Sequence, residues 1–182
     1  MFDIVITTFY LLLPAYLANM APPGFANAGW LKFLDKPVDG GFRLGKDYLF
    51  GSSKTWRGLV AATIVGVIVA GIQSLLYGNL YFNEISLINY HRYWLLFGFC
   101  AGLGGILGDL VKSFFKRRLH IGSGGPWPVF DQLDFIVGFF VATYWLVRPD
   151  WQVMLVAALM TLVLHPLTNV IAYFLKLKKV WW

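Results

Sequence analysis

The sequence predicts an all-α polytopic membrane protein with about five transmembrane helices. Its 182 residues are 58% hydrophobic and only 13% charged, whereas soluble domains are about 45–50% apolar and about 25% charged. Long apolar stretches recur along the chain, each close to the roughly 20 residues that an α-helix needs to cross a bilayer. This composition excludes a disordered chain and a coiled coil. The single cysteine, Cys100, excludes a disulfide framework within the chain.

We expect one integral membrane domain, 1–182, with five spans. The spans lie near residues 4–20, 59–77, 93–112, 131–147 and 151–175. Pro166 lies inside the fifth span and is expected to kink or break that helix, because proline cannot donate a hydrogen bond to the preceding turn. The first span resembles a signal peptide in length, but no basic residue precedes it. We therefore expect it to be retained.

The distribution of Lys and Arg predicts the orientation of these spans in the cell membrane. Segments 21–58 and 111–132 and the tail after residue 175 hold six, four and three basic residues, against one in each of the other two connections. Basic residues concentrate in cytoplasmic connections. The N-terminus is therefore expected outside, and the C-terminus in the cytoplasm.

Two loops are expected to be cytoplasmic and functional, residues 21–58 and 113–130, because loops longer than about 12–15 residues usually carry function or are disordered. The net charge of +6 is explained by this orientation and by attraction to anionic headgroups. The lipid bilayer is the expected partner. Nucleic acid is not, since the chain has so little polar surface.

Three aspartates at the ends of predicted spans indicate a cation site. Asp131 and Asp134 are three residues apart and share one helical face, where two carboxylates repel each other unless a cation lies between them. Asp109 lies near the C-terminal end of its span, where the helix dipole disfavours a negative charge. Carboxylates beside a phosphate site suit Mg²⁺. The alternatives are helix capping by Asp131 or Asp134 and an ion pair from Asp109 to Lys112 or Lys116.

Hydroxyl and basic side chains continue the face that begins at Asp109. The residues of this stripe are Asp109, Lys112, Ser113 and Lys116. Carboxylate, hydroxyl and ammonium groups on one face can hold a metal and a polyphosphate together. The alternative is that Lys116, Arg117 and Arg118 are charges that stop the span at the membrane surface.

Two further segments are typical of phosphate binding. The glycine-rich run 122–125 can turn its amides toward a phosphate. Lys54 and Arg57 lie three apart at the start of the second span, where a helix N-terminus already favours anions. Anchoring at the membrane interface by Lys, Trp and Arg explains the second segment equally well.

The run GDLVKSFFKRRLHIGSGGPWPVFDQLDF, residues 108–135, resembles the signature of membrane cytidylyltransferases that form CDP-activated lipids. It is most similar to the archaeal branch, the CDP-archaeol synthases. Three other stretches resemble that branch: PAYLANMAPPGFAN at 14–27, LGKDYLFGSSKTWRG at 44–58 and HPLTNVIAYFLK at 165–176. Bacterial relatives carry a His and an Arg in the corresponding signature. This chain has no such His, and it has Gln132 in place of the Arg.

The resemblance implies that CMP is transferred from CTP to an unsaturated isoprenoid ether-lipid phosphate, with pyrophosphate released and Mg²⁺ as cofactor. The lipid phosphate would attack the α-phosphate of CTP, so no nucleophile from the enzyme is needed. The implied catalytic residues are Asp109, Ser113, Lys116, Asp131 and Asp134, and the three aspartates would bind the metal. The implied substrate-binding residues are Asn19, Lys54, Thr55, Arg57, Lys112, Arg117, Gly124 and Gly125.

Two other functions compete with this interpretation. A phosphotransferase that consumes CDP-lipids usually carries an Asp-Gly-x-x-Ala-Arg element, which does not occur here. A small transporter needs polar groups near the bilayer midplane, and the candidates for those are Gln73, His165 and Asn169. The sequence leaves the oligomeric state open, because small residues such as Gly98 and Gly102 can pack within one chain or between chains.

Overall fold

The computed structural model describes residues 2–45 and 47–174, and within them the chain is a bundle of helices. The helices are α1 (Phe2–Asn27), α2 (Trp56–Leu76), α3 (Leu80–Glu84), α4 (Tyr90–Arg118), α5 (Phe130–Val147) and α6 (Trp151–Phe174). All of them except the short α3 are long and apolar enough to cross a membrane. The predicted all-α membrane fold is therefore confirmed.

The connection between α1 and α2 contains the remaining regular structure. A 3₁₀ turn spans Lys32–Leu34, and two short antiparallel strands, β1 (Arg43–Leu44) and β2 (Asp47–Tyr48), form a hairpin. The connection between α4 and α5 has no helix or strand. We call residues 28–55 the first loop and residues 119–129 the second loop.

Several predicted boundaries are wrong, because the spans were placed on uncharged apolar runs and the helices continue beyond those runs. The helix of the first span runs on through Pro22 and Pro23 to Asn27. Residues 113–118 belong to α4 and not to a loop. Neighbouring helices compensate for the hydrogen bonds that proline removes from a membrane helix.

The fifth predicted span forms a continuous helix through Pro166, so of the two expected outcomes, a kink or a break, the break does not occur. Its last predicted residue, 175, lies outside the described residues. The basic tail, which contributes to the predicted orientation, lies outside them as well.

Glycines allow α4 to pack directly against α2. A Cβ atom on Gly98 would lie 2.7 Å from the carbonyl oxygen of Gly66, and one on Gly102 would lie 2.6 Å from the carbonyl oxygen of Ala62. Such small residues let membrane helices approach closely. Gly98 and Gly102 thus pack within the chain, which was one of the two alternatives for them.

The same principle brings α4 and α5 together near the loops. A Cβ on Gly104 would lie 2.7 Å from the carbonyl oxygen of Gly138, and Gly108 contacts the carbonyl of Asp134 directly. This contact lies one residue from Asp109. The approach of the two helices therefore sets the distance between Asp109 and Asp134.

Aromatic and aliphatic side chains fill the centre of the bundle. Tyr90, Phe97 and Phe139 are fully buried there, with Phe97 packed edge-to-face on both of the other rings. Gln73 is also buried, and its Nε2 donates to the carbonyl of Tyr10 over 2.6 Å. Because this bond joins α2 to α1, we assign Gln73 a structural role.

The first loop folds back onto the end of α4. The amide of Val38 donates to the carbonyl of Lys54 over 2.8 Å. The guanidinium of Arg118 donates to the carbonyl of Tyr48 over 2.9 Å. These bonds fix the end of the loop against the bundle and hold Lys54 beside α4.

Candidate active site

A cavity of about 950 Å³ lies where the two loops meet the helix ends. Its walls come from α1, α2, α4, α5, α6 and both loops. All thirteen site residues predicted from the sequence line it. They are Asn19, Lys54, Thr55, Arg57, Asp109, Lys112, Ser113, Lys116, Arg117, Gly124, Gly125, Asp131 and Asp134. The structure thus brings together residues that are up to 115 positions apart.

The three predicted metal-binding aspartates converge on one lysine. The Lys112 Nζ lies 3.1 Å from an Asp109 carboxylate oxygen, 3.0 Å from an Asp131 oxygen and 2.6 Å from an Asp134 oxygen. The exposed fractions of these four side chains lie between 5% and 22%. The cluster is therefore largely shielded from solvent.

Helical spacing explains how these groups meet. Asp109 and Lys112 are three residues apart on α4, and Asp131 and Asp134 are three apart on α5, so each pair lies on one face. The close contact at Gly108 presses those two faces together. The spacing within two short segments, 109–112 and 131–134, and the close packing at Gly108 therefore bring the charged groups together.

Two further lysines flank the cluster. Lys54 from the first loop pairs with Asp109. The Nζ of Lys116 lies 2.9 Å from one Asp131 oxygen and 3.1 Å from the other. These three lysines and three aspartates cancel in formal charge. An anionic substrate must therefore bring a cation or recruit other basic groups to be neutralised in this cavity.

The second loop is tied to Asp131 and to the basic end of α4. The amide of Trp127 donates to an Asp131 oxygen over 2.7 Å. The Nζ of Lys116 donates to the carbonyl of Gly125, and Arg117 donates to the carbonyl of Gly122 over 3.1 Å. The amide of Gly125 itself donates within the turn to Gly122. In this conformation the loop is held by two of its carbonyl groups and by the Trp127 amide, and the Gly125 amide is already engaged.

At the start of α2, the two basic residues predicted together as a phosphate-binding pair, Lys54 and Arg57, have different partners. Thr55 caps the helix by accepting a hydrogen bond from the amide of Gly58 at 3.3 Å. Lys54 pairs with Asp109 across the cavity, whereas Arg57 pairs with Asp35 at 3.0 Å. Both basic residues nevertheless line the same cavity.

Other cavity residues were absent from the predicted site. Asp35 holds Arg57, and its only signal in the sequence is its place in a long loop. His165 and Asn169 contribute from α6 and lie within 3.4 Å of each other. Both lie in the family-like stretch 165–176 and are polar positions in the transporter alternative, but neither was predicted as a site residue. The signal that could have found them is the spacing of four between two polar residues in an apolar span, which places both on one helical face.

The carboxylate cluster has suitable chemistry for a hard divalent cation. Three carboxylates are the kind of oxygen ligand that Mg²⁺ prefers, and one oxygen from each lies within 3.1 Å of a single point, the Nζ of Lys112. Among residues 2–45 and 47–174, no three side chains of His, Cys, Asp or Glu are arranged as a ready metal site. The Lys112 ammonium lies between the three carboxylates. The oxygen donors therefore have the chemistry that Mg²⁺ prefers, and the ammonium fills the point on which they converge.

The family model described as CarS-like CDP-archaeol synthase matches residues 1–182. The chain belongs to the CDP-archaeol synthase family. Among proteins named CDP-archaeol synthase, that of Methanocaldococcus jannaschii is 33% identical over 100% of this chain and 99% of its own length. That of Methanopyrus kandleri is 39% identical over 95% of this chain and 91% of its own length.

A solved structure of an intramembrane enzyme for archaeal membrane lipids biosynthesis has the same fold. It superposes with a TM-score of 0.71 and 32% identity, covering 88% of this chain and 91% of that one. The predicted resemblance is confirmed, and so is the predicted enzyme class, a CTP-dependent nucleotidyltransferase. Membership in the CDP-archaeol synthase family also decides against a phosphotransferase or a transporter.

Proposed function

We propose that this protein transfers CMP from CTP to an unsaturated isoprenoid ether-lipid phosphate, giving CDP-archaeol and pyrophosphate. The observation that carries the proposal is the cluster of three aspartates and three lysines in one cavity of a CDP-archaeol synthase family member. A phosphate oxygen of the lipid forms the new bond to the α-phosphorus of CTP. The bond from that phosphorus to the bridging oxygen breaks, and pyrophosphate leaves.

We assign Asp109, Asp131 and Asp134 to holding Mg²⁺. When bound, Mg²⁺ supplies positive charge that stabilises the charge developing on the phosphate oxygens. The support for this assignment is the convergence of three carboxylate oxygens on one cation-sized point. The carboxylates also orient the flanking lysines, because Lys54 and Lys116 each pair with one of them.

The remaining polar residues of the cavity serve the phosphate and sugar groups. Positive charges beside a leaving pyrophosphate stabilise the charge that develops on it. We assign that task to Lys54, Arg57, Lys112, Lys116 and Arg117. Ser113 is 4% exposed and lies one turn from Asp109 on α4, so its hydroxyl can donate to a phosphate oxygen. The neutral groups that we assign to substrate binding are Asn19, Thr55, Gly124 and Gly125.

The cavity also offers apolar wall to the lipid. Leu59, Ile106 and Leu110 line it beside the charged cluster. A lipid phosphate can thus reach the carboxylates while its chains stay among the helices and the bilayer. We further propose that this end of the bundle faces the cytoplasm, with the N-terminus outside. The first loop carries five Lys and Arg residues, and four more lie at the adjoining end of α4.

The test is nucleotidyl transfer by the full chain in detergent. Purified protein receives a geranylgeranylated glycerol phosphate ether, Mg²⁺ and each of the four labelled nucleoside triphosphates in turn. The expected result is label from CTP in the lipid phase, with an equal amount of pyrophosphate in water. Protein with a normal thermal melt that transfers label from none of the four refutes the proposal. A saturated ether-lipid phosphate, run in parallel, tests the preference for unsaturated chains.

A further inference from the structure

Lys112 contacts all three carboxylates of the cluster. In the described part of the chain, the other two lysines of the cluster each pair with one aspartate, Lys54 with Asp109 and Lys116 with Asp131. Among the described residues, Asp134 forms its ion pair with Lys112, at 2.6 Å. Lys112 therefore balances carboxylates that would otherwise repel one another in a poorly solvated place.

An ammonium group suits this position geometrically. It carries three N–H donors, and three carboxylate oxygens surround it at 2.6–3.1 Å. A Mg²⁺ ion on the same oxygens requires distances of about 2.0–2.1 Å. The ammonium and the metal cannot both occupy this point.

The cavity offers the side chain of Lys112 a second position, away from the carboxylates. It lies on the wall of a cavity of about 950 Å³ together with Ser113, Lys116 and Arg117. Lysine has a flexible four-carbon stem and binds phosphate oxygens as a point charge. A triphosphate in the cavity would therefore offer Lys112 new oxygen partners at the moment when it leaves the carboxylates.

We propose that Lys112 is a placeholder for the divalent cation, and that it moves from the carboxylates to nucleotide phosphate oxygens when the cation enters. This inference rests on the proposed function, because it takes the three aspartates as the metal ligands. Its consequence is ordered binding: without nucleotide, Lys112 keeps the carboxylates and divalent cations bind weakly. Nucleotide and cation then bind with positive coupling, since each favours the same position of Lys112.

The test measures binding of Mn²⁺ alone, by the loss of the free-ion EPR signal, to the full chain in detergent without nucleotide. The variants are Lys112→Gln and the matched control Lys116→Gln. Each removes one positive charge next to the cluster, but Lys116 contacts only Asp131 among the three carboxylates. We expect Lys112→Gln to bind Mn²⁺ at least about tenfold more tightly than both wild type and Lys116→Gln, a difference that is readily resolved.

Two results overturn the proposal: tight Mn²⁺ binding by nucleotide-free wild type, or equal affinities of the two variants. Lys112→Gln leaves three carboxylates without their shared cation, so its thermal melt is recorded with and without Mn²⁺. Rescue of a low melting temperature by Mn²⁺ supports the exchange. If the variant does not fold under either condition, the titration of wild type with Mn²⁺ is the test. Weak Mn²⁺ binding is then expected, and tight Mn²⁺ binding would contradict the proposal.

The two proposals fail separately. Absence of CTP transfer with the expected Mn²⁺ affinities contradicts the proposed reaction and leaves the exchange at Lys112 intact. Normal CTP transfer with equal Mn²⁺ affinities contradicts the exchange alone.

Discussion

Replacing Gly108 by alanine separates the two helices that carry the aspartates. An added Cβ would clash with the carbonyl oxygen of Asp134 and would lie 2.9 Å from its carbonyl carbon and 3.2 Å from the Gly138 Cα. Nonbonded carbon atoms prefer about 3.5–4.0 Å. Because the clash with the carbonyl oxygen is the most severe of these contacts, helices α4 and α5 must move apart by roughly 1 Å or more at this level.

That movement has two measurable consequences. Overpacking of this kind costs about 1–3 kcal/mol, against a gain of about 1 kcal/mol from replacing glycine by alanine in a helix. The net change in the free energy of unfolding is therefore a loss of roughly 0–2 kcal/mol. Activity should fall much further, because a misplacement of about 1 Å in a reacting constellation can cost about 10²-fold. The contact of 2.6 Å between Lys112 and Asp134 is the one most directly stretched.

Gly105→Ala is the matched control for Gly108→Ala. It makes the same substitution one turn earlier on α4, where an added Cβ would lie 3.8 Å from atoms of Phe135 in ordinary contact. Thermal melts in detergent and kcat/KM for CTP are measured for both variants. The reasoning is refuted if Gly108→Ala keeps the turnover of Gly105→Ala and melts at the same temperature or higher.

Three further substitutions test other parts of the site. Asp134→Asn should lower CTP transfer by about 10²-fold or more through loss of a charged ligand. Its control is Asp150→Asn, at an exposed position in the connection between α5 and α6 and outside the cavity, which should leave turnover unchanged. Arg57→Gln should raise KM for CTP by about tenfold, as expected for one lost charge-assisted contact of about 1.5 kcal/mol. Its control is Arg148→Gln, because Arg148 lies outside the cavity. Equal KM values for the two variants would contradict the role of Arg57. Thr55→Ala should lower the stability of the protein by about 1 kcal/mol in a melt, because the capping bond at α2 is lost; an unchanged melting temperature would show that the cap contributes nothing.

The helices and most of the cavity wall follow from patterns that the sequence displays openly. Apolar stretches long enough to cross a bilayer locate the five long helices, and the spacing of three in Asp109–Lys112 and Asp131–Asp134 puts each pair on one face. What the sequence does not display is the partner of each group. Lys54 and Arg57 look alike at the start of α2, but the fold of the first loop gives one to Asp109 and the other to Asp35.

The errors in the prediction have a common origin in the use of composition to place helix ends. Charge and proline mark where a chain meets water, yet a helix ends only where its backbone hydrogen bonds are taken over by other partners. Arg118 continues α4 and at the same time binds the carbonyl of Tyr48 in the first loop. Arg118 is thus part of the helix and also contacts a loop. A helix end placed by composition assigns such a residue to the loop alone.

Stability does not account for a cluster of buried charges in this bundle. Replacing a buried ion pair by apolar side chains is often neutral or stabilising by about 1–4 kcal/mol, whereas removing one partner alone costs about 3–5 kcal/mol. The Asp109–Lys112–Asp134 group is thus more costly to unbalance than it is useful for folding, which argues for a functional reason to keep it. The carboxylates of this group can lose the Lys112 ammonium only when another cation replaces it. They can bind that cation only when the ammonium moves to another anion. This mutual requirement is why we expect CTP and a divalent cation to bind together rather than separately.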